Sequence, residues 1–280
     1  MPLPQILSGL ADISEEYDAL ICDVWGVIHN GHRANAQAVY ALRQFRDSHG
    51  KVVLLSNAPR PKADLEQQFQ KYGVPPDCYD EIVTSGIATR LDLEARSKDK
   101  RLRMFHLGPE RDRGIFEGLN VELTDVETAE LVLNSGLFND DVETPETYDG
   151  ALGLMRDRDL LMLCANPDQV VQRGGKLIWC AGALAGAYEK IGGNVTYYGK
   201  PKPEIYDLVR ASLDGAERVL AIGDGMQTDI KGANAVGIDA LFIADGIHGE
   251  DVGDMSAVHL GELFSEAGVE ARAAMRALVW

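Results

Sequence analysis

The sequence predicts an α/β protein: a parallel sheet with crossover helices, interrupted by a second, smaller α/β unit. Three observations predict it. Short buried apolar runs alternate with helical patterns at both ends of the chain, as parallel strands joined by crossovers require. The alternation restarts in the middle of the chain as a set of its own. Gly192-Gly193-Asn194 then marks a return hinge between the two.

In chain order, residues 19–24 read as a buried strand and 35–49 as a helix, with Val39, Leu42 and Phe45 at three-residue spacing and Gly50 as its stop. Residues 51–55 form a second strand ending at Ser56-Asn57, 61–71 a helix closed by Gly73, and 81–84 a short strand. The middle unit holds strands at 102–107, 130–134 and 160–165, and helices at 109–118, 145–156 and 181–191. The first pattern then resumes: strand 195–198, helix 203–213, strand 218–222, helix 228–236 and strand 240–244. The tail, 260–278, reads as two short helices. The expected division is one domain of residues 1–85 and 194–280 around an inserted domain of 86–193.

Of the 280 residues, 45% are hydrophobic and 25% charged, enough apolar content for a sizeable core. No apolar stretch approaches a bilayer span, and Met1-Pro2-Leu3-Pro4-Gln5 lacks the basic start and apolar block of a secretory signal, so a cytoplasmic protein with no membrane partner is expected. The four cysteines are scattered without a C-x-x-C pair, which argues for buried or partly exposed thiols. A net charge of -17 argues against nucleic acid as a partner, since its backbone needs a basic footprint. It also repels anionic ligands, so a phosphorylated substrate requires a local positive site.

Two strands end in acid. Asp23 follows Ala19-Leu20-Ile21-Cys22, and Asp224 follows Val219-Leu220-Ala221-Ile222-Gly223. Carboxylates at the C-terminal ends of parallel strands lie where open α/β sheets bind ligands. Asp23 can be a nucleophile on phosphorus, a metal ligand or a cap on its turn. Asp224 reads as a hard oxygen ligand suited to Mg²⁺. Asp229, beside Thr228 at a helix start, is either a ligand or an acidic N-cap. Ser56-Asn57 is an anion cradle or an ordinary strand-end turn. Lys200, held between Gly199 and Pro201, can reach a phosphate as a point charge or sit in a solvated turn.

Taken in order, Asp-x-x-Gly-Val, Ser-Asn, Gly-Lys-Pro and Gly-Asp-x-x-x-Thr-Asp resemble the motifs of the haloacid dehalogenase-like (HAD) hydrolases, over most of the chain. The insertion between Ser56 and Lys200, with Asn166-Pro167-Asp168 and Cys180-Ala181-Gly182-Ala183-Leu184, resembles the class IIA arrangement, whose relatives include pyridoxal phosphate, phosphoglycolate and 4-nitrophenyl phosphatases. The resemblance implies a Rossmann-like HAD core with a C2-type cap, a small-molecule phosphate substrate, Mg²⁺ as cofactor and an aspartyl-phosphate on Asp23. It further implies metal contacts from Asp23, the Trp25 backbone carbonyl and Asp224, support through water from Asp229, and phosphate contacts from Ser56, Asn57 and Lys200. It also admits a homodimer through the cap.

The pattern breaks at Trp25, where such phosphatases carry an Asp that protonates the leaving oxygen. An indole only donates, and cannot act as acid or base. General acid–base help is worth roughly 10²–10⁴-fold in rate. This leaves two alternatives to an ordinary phosphatase: a phosphometabolite-binding or regulatory protein with weak turnover, and a hydrolase of C–P or C–halogen bonds. His29 is a candidate replacement proton donor and His32 a weaker one, and Arg60 and Arg173 are candidate contacts to an acidic substrate.

Overall fold

The computed structural model describes residues 2–173, 176–246 and 252–280. In chain order the elements are β1 (Gln5–Ile6), β2 (Ala19–Cys22), α1 (Ala36–Ser48), β3 (Lys51–Ser56), α2 (Lys62–Tyr72), β4 (Glu81–Thr84) and α3 (Ser85–Ser97). There follow β5 (Leu102–Leu107), β6 (Val121–Leu123), β7 (Leu131–Asn134), α4 (Asp149–Asp157), β8 (Leu161–Cys164), β9 (Val170–Arg173), β10 (Lys176–Trp179), α5 (Ala181–Lys190) and β11 (Asn194–Tyr197). The chain continues with α6 (Pro203–Arg210), β12 (Val219–Gly223), a π-helical turn (Met226–Ile230), α7 (Lys231–Ala235), β13 (Asp239–Ile243), α8 (Ala257–Ala267) and β14 (Ala273–Met275).

These strands build two parallel sheets and a ribbon. The larger sheet has seven strands in the order β1-β14-β13-β12-β2-β3-β4, and the smaller has five in the order β11-β8-β7-β5-β6. β9 and β10 pair antiparallel as a separate two-stranded ribbon. The α/β class with large parallel sheets agrees with the sequence expectation.

Strand alternation sorts the larger sheet's core onto two faces. Leu20, Cys22, Val52 and Leu54 pack against Leu42 and Phe45 of α1 and Leu65 and Phe69 of α2. Ala19, Ile21, Val53 and Leu55 pack against Ile205, Tyr206 and Val209 of α6. Both faces are covered, which is why these strands read as continuous apolar runs. Helix ends follow local chemistry. The Asn35 side chain accepts from the N–H groups of Gln37 and Ala38 to start α1, and Gly73, at φ 81°, stops α2 in the left-handed region.

Four elements differ from the sequence reading. Helix α3 went unforeseen because its buried face is made of Ser85, Gly86 and Thr89, which carry no apolar period; only Leu93 does. Strand β11, expected in the larger sheet, hydrogen-bonds to β8 as the edge of the smaller one. The second tail helix is instead strand β14: Ala273, Ala274 and Met275 read as helix by propensity, but burial between β13 and β1 overrides it. The helix expected over 109–118 is a 3-10 segment, Glu110–Ile115. The cysteines are buried and free. Among the described residues, no helix is long and apolar enough to cross a membrane.

Candidate active site

Strand order places the site. From β2 the chain builds outward through β3 and β4; from β12 it builds the opposite way through β13. β2 and β12 are neighbours, with Cys22 opposite Ile222, and their C-terminal ends form the switch point where such sheets bind ligands. Asp23 leaves one strand and Asp224 the other, and the Asp23 N–H donates to the Ile222 carbonyl at 2.8 Å.

Asp229 joins them from the π-helical turn, a distortion frequent at functional sites. Its Oδ2 accepts from the Gly225 N–H at 3.1 Å. The turn needs Gly223, since a Cβ there would lie 2.2 Å from Asp229 Cγ. Asp224 is crowded in the same way: a Cβ on Gly26 would stand 2.1 Å from its Oδ2, and one on Gly246 2.0 Å. All three acids are buried, and their ligand atoms lie within 4.8 Å of one another.

Lys200 reaches into this group from the loop after β11. Its Nζ lies 2.5 Å from Asp23 Oδ1, 2.6 Å from Asp229 Oδ1 and 3.1 Å from the Leu55 carbonyl, which uses the three donors of an ammonium. Burial opposes its charge, but Asp229 and Asp23 prevail and hold its pKa well above the usual lysine value. Burial pushes the Asp23 carboxyl well above the ordinary range; Asp229 and Asp224 add to the push and Lys200 opposes it. The site is thus a buried excess of negative charge around one ammonium.

The backbone of Lys200 is gripped by the side chain of Asn57. Asn57 Oδ1 accepts from the Lys200 N–H at 2.8 Å, and Nδ2 donates to the Lys200 carbonyl at 3.3 Å and to Asp168 Oδ1 at 2.8 Å. Sequence reasoning gave Asn57 to phosphate and did not single out Asp168 as a site residue. The Asn166-Pro167-Asp168 string was visible, but nothing local says that it crosses to the larger sheet. Ser56 is buried beside this grip, its Oγ accepting from the Ala58 N–H at 3.1 Å. The next helix begins only at Lys62, so Ser56 and Asn57 lie outside its first turn. Asn57→Ala would strand both backbone groups of Lys200 and one oxygen of Asp168. A loss of about 1–3 kcal/mol in urea unfolding is expected; an unchanged midpoint would show that the amide holds nothing.

The other candidates are placed less favourably. His29 is buried among the rings of Trp25, Phe69 and Tyr72, and its Nδ1 accepts from the Gly31 N–H at 3.1 Å. Burial lowers its pKa to about 4, so near neutral pH it is an uncharged core ring and a poor proton source. Arg60 donates through Nε to Asp112 at 2.9 Å, a buried carboxylate in the segment between β5 and β6, and so ties the two sheets' units together. Arg173 pairs with Asp140 and Asp141, and His32 is exposed. Trp25 is half-buried, and its Nε1 donates to the Gln172 carbonyl in β9 at 2.8 Å.

Comparison with known proteins adds to this geometry. Residues 20–122 match the model of the haloacid dehalogenase-like hydrolases, and residues 197–260 a second HAD-hydrolase-like model. The ribonucleotide monophosphatase NagD of Escherichia coli K12 is 26% identical over 239 residues, 83% of this chain and 89% of that protein. The D-glycerol 3-phosphate phosphatase of Mycobacterium tuberculosis is 23% identical over 260 residues, 85% of this chain and 66% of that one. A solved hydrolase of the haloacid dehalogenase-like family from Brucella suis 1330 is 41% identical, covers 99% of this chain and 100% of its own, and superposes with a TM-score of 0.86. A parallel sheet with its acids at the switch point, both family models and a 41% identical relative matched end to end lead to one assignment: this chain belongs to the haloacid dehalogenase-like hydrolase family.

Proposed function

We propose that this protein is a Mg²⁺-dependent phosphatase of a small phosphate ester, working through an aspartyl-phosphate on Asp23. The convergence of Asp23, Asp224, Asp229 and Lys200 carries the reading. Three buried carboxylates within one ion's reach, with one ammonium bonded to two of them, fit a small divalent cation. Asp23, Asp224 and the Trp25 carbonyl would hold it, with Asp229 behind. When bound it would neutralise charge on the transferring phosphoryl group.

The chain's own residues do the rest. Asp23 attacks phosphorus, converting one difficult displacement into two easier ones. Lys200 holds Asp23 in place and offers positive charge to the phosphoryl oxygens, while Ser56 lends a hydroxyl. The unit built on the five-stranded sheet serves as the cap, with Asp168 and the β9–β10 ribbon facing the larger sheet's strand ends. The phosphatase activities named for the Escherichia coli and Mycobacterium tuberculosis relatives support the reaction class. Phosphate release measured with malachite green across a panel of metabolite phosphates, with Mg²⁺, tests the proposal. Release from at least one compound, lost on chelation, is expected; silence from folded protein over the whole panel would refute it.

A further inference from the structure

The residue that faces the leaving-group position in this family is an indole here, and its single donor is already spent. Trp25 Nε1 donates to the carbonyl of Gln172 at 2.8 Å. Its ring is wedged against the loop below: a Cβ on Gly31, at φ 83°, would stand 2.8 Å from the six-membered ring. Among the described residues the ribbon that receives this bond pairs with no other strand, and β10 is largely exposed. A two-stranded ribbon holds poorly by itself, so the indole bond is part of what keeps it in place. Trp25 is therefore one tether of the ribbon, beside the ion pairs of Arg173 with Asp140 and Asp141, and turning its N–H toward a substrate would give up that bond.

The neighbouring donors are committed as well. Lys200 directs its three N–H groups to Asp23, Asp229 and the Leu55 carbonyl. Both hydrogens of the Asn57 amide are used, on Asp168 and on the Lys200 carbonyl. His29 accepts at Nδ1 and is enclosed by aromatic rings. Asp168 accepts from Asn57 at Oδ1. Among the described residues, the side-chain N–H groups of Trp25, Lys200 and Asn57 are thus all directed to protein acceptors.

Building on the phosphatase reading, we propose that the site is fitted to phosphoryl compounds whose leaving oxygen departs as a stable anion, namely enol, aryl and acyl phosphates, in preference to alkyl phosphates, because the Trp25 N–H is held by Gln172 rather than offered to the leaving group. In the first step an Asp23 oxygen attacks phosphorus. The new O–P bond forms as the bond to the leaving oxygen breaks, and the electron pair leaves with the enolate, phenolate or carboxylate. In the second step water attacks the same phosphorus. The bond to Asp23 breaks, its electron pair returns to the carboxylate, and the proton from water passes to solvent. The second step also expels a carboxylate, so neither departure needs an acid. An alkoxide cannot leave this way, and that is the discrimination.

The test compares kcat/KM for acetyl phosphate, 4-nitrophenyl phosphate, phenyl phosphate and glycerol phosphate, with Mg²⁺, in wild type, Trp25→Phe and Trp25→Asp. In wild type and Trp25→Phe, a fall of roughly 10³-fold or more from acetyl to glycerol phosphate is expected, because nothing protonates the alkyl oxygen. Trp25→Asp supplies the acid and should raise glycerol phosphate turnover by about 10²-fold or more, with little gain on acetyl phosphate. A wild-type fall of less than about tenfold would show that a proton donor is at hand and would overturn the inference. No hydrolysis of any of the four, acetyl phosphate included, would instead remove the phosphatase reading beneath it. Should Trp25→Asp fail to fold, the wild-type and Trp25→Phe series decide the matter.

Discussion

Asp23→Asn is expected to lower phosphate release by at least about 10⁴-fold and, in the same protein, to raise the melting temperature of the metal-free form. The loss follows from replacing the attacking oxygen with an amide that cannot form the phosphoryl bond. The gain in stability follows from electrostatics. Burial and the neighbouring Asp229 drive the Asp23 carboxyl well above its ordinary value, so folding around the ionised form is penalised. A carboxyl that is harder to ionise when folded destabilises the fold as pH rises above its unfolded value. An amide removes that penalty and leaves Lys200 paired with Asp229. Thermal melts with chelator at pH 7 check it. A lower melting temperature for Asp23→Asn would mean that the Lys200 pair, and not the crowding of acids, dominates the local balance.

Lys200→Met is expected to produce the opposite result. It removes the ammonium that lies between Asp23 and Asp229 and leaves two buried carboxylates facing each other. Removing one partner of a buried pair typically costs about 3–5 kcal/mol, and turnover should be lost with it. The deficit should shrink as pH falls, because the raised pKa of Asp23 lets it take up a proton early and relieve the repulsion. Urea unfolding at neutral and at mildly acidic pH measures both effects. A deficit that grows on acidification would contradict the charge argument.

The reach of the sequence is visible in these residues. Asp23 and Asp224 were legible because each ends an apolar run, and a parallel sheet carries such ends to one edge. Lys200 was legible in a turn of restricted shape, Gly199 to Pro201, and Asp229 as an acid beside Thr228 at a helix start. The grip of Asn57 was not legible, because its partners lie 111 and 143 residues away in the chain. Trp25 was legible as a departure but not as a tether, since Gln172 gives no signal until the ribbon is placed. Helix α3 was hidden by a buried face of small and polar side chains, and β14 by an alanine-rich composition that only its neighbours turn into a strand.

Strand β11 belongs to the five-stranded sheet, yet within three residues of its end the chain delivers Lys200 to the other sheet's acids. The ammonium therefore hangs from one body while it serves the other. A swing of the five-stranded sheet must either drag Lys200 away from Asp23 or be absorbed in Tyr198 and Gly199. The amide of Asn57 clasps the lysine backbone from the larger sheet and Asp168 of the five-stranded unit as well, so it pins the charge at the junction of the two.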